Sequence, residues 1–176
     1  VRQALGGDPV LAVAISLATY LLAANQLSLG EFKEKYPHAV LVVEPYTMDD
    51  EPQLSTSAGG DFGGGIPMVY PIQNKAGHGF GDRVTIGRTG NNDVPIQAPD
   101  VSKYHGYLTR DGAEAGYTYT DADSTYGSKV NDEPSLPGVK VPLPFGAVLE
   151  IASVRMTIYS PPTFYEFLFA NPGGPK

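Results

Sequence analysis

After Pro67 the apolar positions fall in short alternating runs, each closed by a cluster of turn-forming residues. Val84 with Ile86, and Val94 with Ile96, alternate with polar neighbours as half-buried strands do. The pattern predicts strands at 68–73, 83–88, 94–97, 106–109, 117–121, 128–130, 139–141, 148–151 and 155–160. Short strands with turn signals between them point to an all-β sandwich.

The flanks carry other patterns. Residues 9–27 hold no charge, and 10–24 are almost wholly apolar, a run shorter than the ~20 residues needed to cross a bilayer. They predict a buried helix capped by Asp8 with Pro9 as its first residue, covered nearly all round by the rest of the fold. A cleavable leader or membrane anchor is the lesser reading, because the only basic residue ahead of the run is Arg2. Ser28 followed by Glu31 forms a capping-box pattern, so a short helix should reach about Tyr36 before Pro37 stops it. Residues 39–44 read as a strand buried on both faces. Residues 47–65, rich in Gly, Ser and acid, read as a linker or loop. At the other end, Pro161 and Pro162 should end the last strand, Thr163 should cap a brief helix over 164–169, and 171–176 should fray. The organisation expected is thus a helix-helix-strand extension (1–46) packed on a sandwich (66–170), joined by the 47–65 linker.

Composition narrows the function classes. The chain has 176 residues, 12 Lys and Arg against 19 Asp and Glu, and a formal charge of -7. Such an acidic body speaks against a broad nucleic-acid face, so any cationic pocket must be local. Cysteine is absent, which excludes disulfides and thiolate metal sites and fits a reducing, cytoplasmic setting. Gly77, Gly79 and Gly81 resemble a nucleotide loop only in spacing: such a loop opens a helix, and here Val84, Thr85 and Ile86 continue as strand. His38, His78 and His105 lie in unrelated segments, and no nucleophile–base pair, carboxylate dyad or metal-ligand spacing accompanies them. The expectation is therefore a non-enzyme without cofactor or metal.

The candidate chemistry sits on loops. Arg88, Asn91, Asn92, Ser102 and Lys103 follow predicted strands, and a second hydroxyl-rich loop lies at 121–132. Guanidinium, ammonium and hydroxyl donors together suit an oxyanion, with Arg offering a planar fork.

The order Gly87-Arg88, Asn92-Asp93-Val94, Val101-Ser102-Lys103 with His105, Ser124-Thr125-Tyr126-Gly127-Ser128 and Val130-Asn131 resembles the forkhead-associated (FHA) domain, a phosphothreonine-reading module. The resemblance spans about 66–160. It implies a mainly β, FHA-like sandwich of short antiparallel strands, with N-terminal helices and a short C-terminal helix as additions. It implies phosphopeptide contacts by Arg88, Ser102, Lys103, Thr125 and Tyr126, and support of the site by Gly87, His105, Gly127 and Asn131. His105 would brace the loops from inside, and Gly127 would supply a backbone angle that a side chain resists. At Tyr126 the family usually has an asparagine; a phenol has one donor and cannot copy a two-donor amide. The peptide backbone is then held differently, or the module has become a degenerate scaffold that binds partners independently of phosphorylation. The partner implied is a phosphothreonine-containing protein, a Ser/Thr kinase or its substrate, in bacterial signalling, with neither nucleic acid nor membrane involved.

Overall fold

The computed structural model describes residues 14–44, 67–77, 81–110 and 116–170. In chain order the elements are β1 (Ile15–Ser16), α1 (Leu17–Ala24), α2 (Leu29–Lys35), β2 (Val40–Val43), β3 (Met68–Pro71), β4 (Arg83–Gly87) and β5 (Val94–Pro95). They continue with β6 (Gly106–Thr109), β7 (Gly116–Asp121), β8 (Ser128–Val130), β9 (Glu133–Ser135), β10 (Lys140–Pro144), β11 (Val148–Ile151), β12 (Val154–Tyr159) and α3 (Pro161–Ala170).

Two sheets form. One has seven strands in the order β1-β3-β2-β12-β11-β8-β9, the other five in the order β10-β7-β6-β4-β5. Pairings are antiparallel except β4 with β5, a two-residue parallel contact at Ile86–Val94 and Gly87–Pro95 that departs from the all-antiparallel expectation. Alternation along the strands sends one set of side chains between the sheets. Met156 and Ile158 of β12 meet Ile86, Leu108, Tyr119 and Leu143 of the opposite sheet in one buried cluster.

A second apolar layer covers the outside of the larger sheet. Tyr20 of α1, Phe32 of α2 and Phe164 of α3 pack there, with Tyr20 edge-on to Phe164 at 5.1 Å and Phe32 edge-on to Tyr165 at 5.2 Å. Between these two cores lies β2. Leu41 and Val43 face the sandwich core while Val40 and Val42 face the helices, which explains why the strand is apolar at every position. Because β2 pairs with both β3 and β12, the N-terminal segment supplies an internal strand of the sheet instead of leaning on a finished sandwich.

Local chemistry also moves several boundaries. The expected long N-terminal helix begins only at Leu17; Ile15 and Ser16 are strand, paired with Val69 and Met68, because an apolar run favours either state until a neighbouring edge claims it. The expected cap at Asp8, the 47–65 linker and the 171–176 tail lie outside the described residues. Ser28 and Glu31 do make the capping box, with Ser28 N donating to Glu31 Oε2 at 2.8 Å. α3 starts at Pro161, earlier than expected: proline lacks only an amide that the first turn leaves unpaired anyway. Ser160 N donates to Thr163 Oγ1 at 2.9 Å and Thr163 N donates to Ser160 Oγ at 3.3 Å, so Ser160 is the cap and Thr163 its reciprocal partner. The short edge strand β9 escapes the pattern because Glu133 and Pro134 are poor strand formers, tolerable only where one side needs no partner. Among the described residues no helix is long and apolar enough to cross a membrane.

Candidate functional site

Three loops meet at one end of the sandwich: 88–93 after β4, 96–105 ahead of β6, and 122–127 between β7 and β8. The first two are joined by their backbones. Arg88 N donates to Ser102 O at 2.9 Å, and Asn92 Nδ2 donates to Lys103 O at 2.7 Å. Gly87 makes this approach possible, since a Cβ there would collide with the Lys103 carbonyl oxygen. The Arg88 side chain adds its own clamp, Nε donating to Val101 O at 3.0 Å. One edge of the guanidinium is thereby fixed, and its terminal amines have no partner among the described residues. Asp93, wholly buried, anchors the base of the loop by accepting from Thr85 N at 2.8 Å and Lys75 N at 2.7 Å.

The second and third loops are joined from inside by His105, which is 0% exposed. Ser102 N donates to its Nδ1 at 3.1 Å, which leaves the ring proton on Nε2 to donate to Gly127 O at 3.1 Å. Burial holds the histidine's pKa below its ordinary value; the Gly127 bond and the charges of Asp121 and Asp100 pull upward without prevailing. Beside it a polar chain runs into the core. Tyr119 OH donates to Ser128 Oγ at 2.7 Å, and Ser128 Oγ in turn donates to Asp121 Oδ2. Burial opposes the charge on Asp121, but the donors Ser128 Oγ, Ser124 N and Ser124 Oγ, with His105 nearby, outweigh it and its pKa is lowered. Gly127 adopts φ 78°, a left-handed angle at which a side chain would be strained.

On the outer side, Thr125 N donates to Ser102 Oγ at 3.0 Å, and Ser102 Oγ lies 3.4 Å from Thr125 Oγ1. The structure therefore brings Ser102 and Thr125 into contact from loops more than twenty residues apart, with Arg88 fastened to the backbone of the same Val101–Ser102 unit. Lys103 follows on the rim with its side chain exposed. Tyr126 also stands at the rim, 71% exposed and without a hydrogen bond or ring contact among the described residues.

Asn131 is the exception among the expected supporting residues. It lies at the far end of β8, in a left-handed turn at φ 49°, where its Oδ1 accepts from Val148 N at 2.9 Å. It braces the β8–β9 turn against β11 and has no bond to the three loops. The reason is geometric: a three-residue strand separates it from Gly127, four residue steps or about 13 Å along the chain. Conversely, Asn92, Tyr119, Asp121 and Ser128 hold the site together although the strand pattern alone assigns them no role. For Asp121 a signal existed: an acid three residues before a serine is the mark of a side-chain-closed turn.

A family model of the FHA domain matches residues 84–152. Comparison with curated proteins gave no match. Among solved structures, the chain is similar to the FHA domain of the CT664 protein from Chlamydia trachomatis, with 13% identity over 70% of this chain and 95% of that one and a TM-score of 0.47. An FHA domain from an Arabidopsis thaliana hypothetical protein shares 16% identity over 70% and 85% of the two chains, TM-score 0.46. EmbR of Mycobacterium tuberculosis, solved with a low affinity phosphopeptide, shares 18% identity over 81% of this chain but 29% of its own, TM-score 0.44.

Proposed function

We propose that this chain, an FHA-domain protein by the match over residues 84–152, is a non-catalytic module that binds a phosphothreonine-bearing segment of a partner protein. The observation that carries this reading is the meeting of Ser102 with Thr125 on a loop to which Arg88 is already clamped. A phosphate ester presents three acceptor oxygens and about two negative charges. Arg88 offers its terminal amines, Ser102 its hydroxyl proton, and Lys103 a point charge at the rim. The hydroxyl is poised for this: Ser102 Oγ keeps its role as acceptor for Thr125 N, while its own proton is directed at Thr125 Oγ1 over a long 3.4 Å. That weak bond can be exchanged for a charge-assisted one at little cost. Arg88 needs no reordering, because Nε and the backbone amide are both engaged before the ligand arrives.

The module works by recognition alone, without metal or cofactor, and its partner is a phosphothreonine protein of a Ser/Thr-kinase pathway, the kinase or its substrate, in the cytoplasm. Tyr126 replaces the amide that would grip the peptide backbone, so the phosphate supplies a larger share of the affinity here. Titration of paired phosphothreonine and threonine peptides tests the reading. Binding of the phosphorylated member only, lost in Arg88→Ala, supports it; equal binding of both members favours the phosphorylation-independent scaffold.

A further inference from the structure

We infer that the cleft at the far end of the sandwich, opposite the three loops, binds a small monocarboxylic acid with an aromatic or branched aliphatic body, its carboxylate held by Arg110 and Tyr117. This site stands apart from the phosphothreonine reading, and neither depends on the other.

β4 runs from Arg83 toward the rim and β6 runs back from it, so Arg110, next after Thr109, comes out at the opposite end. A cleft of about 270 Å³ opens there. Arg110, Tyr117 and Phe145 line it from the sandwich, while Pro37 comes from the segment ahead of β2 and Pro161 and Pro162 from the start of α3. The three prolines lie outside residues 84–152, the span that the family model matches. The cleft is therefore closed by what this chain adds to the sandwich.

Its walls are fixed before anything binds. Phe145 stands on a turn closed by Ala147 N donating to Pro144 O at 2.9 Å, and Gly146 N donates to Ile158 O of the other sheet at 2.7 Å. The Phe145 ring meets Tyr117 edge-on, 6.3 Å between centres. On the opposite wall Ile72 N donates to Ala39 O at 2.8 Å, which holds the segment after Pro37, and the reciprocal Ser160 and Thr163 bonds hold the start of α3. Rings already in place need little ordering.

The polar groups decide what the ligand is. The first turn of α3 has no amide to give, since Pro161 and Pro162 have none and Thr163 N is bound to Ser160 Oγ. What remains is Arg110, exposed, with its guanidinium 5.9 Å from the centre of the Tyr117 ring and no ion pair or hydrogen bond among the described residues. The Tyr117 hydroxyl also has no hydrogen-bond partner among them. Burial raises its pKa against the pull of Arg110, so it stays a donor. A planar fork and a phenol proton suit the two oxygens of a carboxylate, and no acidic residue lines the cleft to compete for them. One cation in a chain of charge -7 matches a single negative charge better than the double charge of a phosphate ester. The proline and aromatic rings cover the apolar body, and the volume suits a molecule of one ring.

The test titrates phenylacetate, and separately its neutral amide phenylacetamide, into the intact isotope-labelled chain while backbone amide shifts are followed. Phenylacetate should saturate in the millimolar range, moving Arg110, Tyr117 and Phe145 and leaving Arg88, Ser102 and Thr125 in place. Phenylacetamide should bind about tenfold more weakly. Arg110→Met, at an exposed position and with unchanged shifts elsewhere as the check on folding, should abolish the preference for the acid. Tyr117→Phe should weaken the acid about threefold, and Arg88→Ala should bind it as the wild type does. The inference is overturned by any of four results: no saturable shift with phenylacetate, shifts centred away from the cleft, equal affinity for acid and amide, or a preference that survives Arg110→Met.

Discussion

Ser102 and His105 stand three residues apart on one loop and answer to different physics. Ser102 turns outward with Arg88, Lys103 and Thr125, where each polar group keeps capacity to spare. His105 turns inward with Asn92, Tyr119, Asp121 and Ser128, where nearly every polar atom is already answered. The inner set fixes where the loops are; the outer set is left available to a ligand. A binding site on loops can be rigid before it is occupied when the cost of ordering is met inside the protein.

Variants that cross this divide should separate stability from binding. His105→Ala removes the strut and leaves Ser102 N and Gly127 O without their partner, besides opening a cavity. It should cost about 3 kcal/mol in urea denaturation, and an unchanged midpoint would place the strut outside the stability of the fold. Gly87→Ala forces a methyl against Lys103 O, so the two outer loops must part; about 2 kcal/mol is expected, accompanied by weaker phosphopeptide binding because Arg88 and Ser102 are moved together. Acid should reproduce part of the His105 effect. Since its folded pKa lies below the ordinary value, the unfolded chain takes up the proton first. Stability from His105 is full above about pH 6.5 and is lost as pH falls through that value toward the lowered folded pKa. Asp121 follows the same sign in a lower window, full above about pH 3.9 and lost as pH falls toward its lowered folded pKa. Denaturation followed against pH should therefore show two separate declines, the upper one absent in His105→Gln. Lys103→Ala, on the exposed rim, should leave the melting curve in place and weaken phosphopeptide binding by only about threefold, an effect that salt also produces.

The outer face was more legible in the sequence than the inner one. Arg88, Ser102, Lys103 and Thr125 could be named because the family resemblance rests on their order, and the antiparallel succession of strands sets which sheet end their loops share. His105 was also visible, because the resemblance implies a histidine there that braces the loops from inside. Tyr119 was not, and Ser128 stood in the motif without a role, because a tyrosine and a serine in strands carry no local sign that their hydroxyls meet. Asn131 belongs to the same motif and does brace a turn, but the strand between it and Gly127 places it at the other end of β8, against β11. In the fold, the strand spacing foretold the sandwich, but residues 39–44 showed only that they were buried on both sides. That one side is the sandwich core and the other an aromatic helical layer depends on contacts with Phe164, more than a hundred residues away.

The central claim is that the outer set, and Arg88 above all, holds a phosphate on threonine. Isothermal titration of a phosphothreonine peptide, and of its unphosphorylated twin, into the wild-type chain and Arg88→Ala tests it most directly. The account predicts binding of the phosphorylated peptide alone, weakened about a hundredfold by the substitution with the urea midpoint nearly unchanged. Equal affinity for the two peptides, or full affinity in the Arg88→Ala chain, would contradict it.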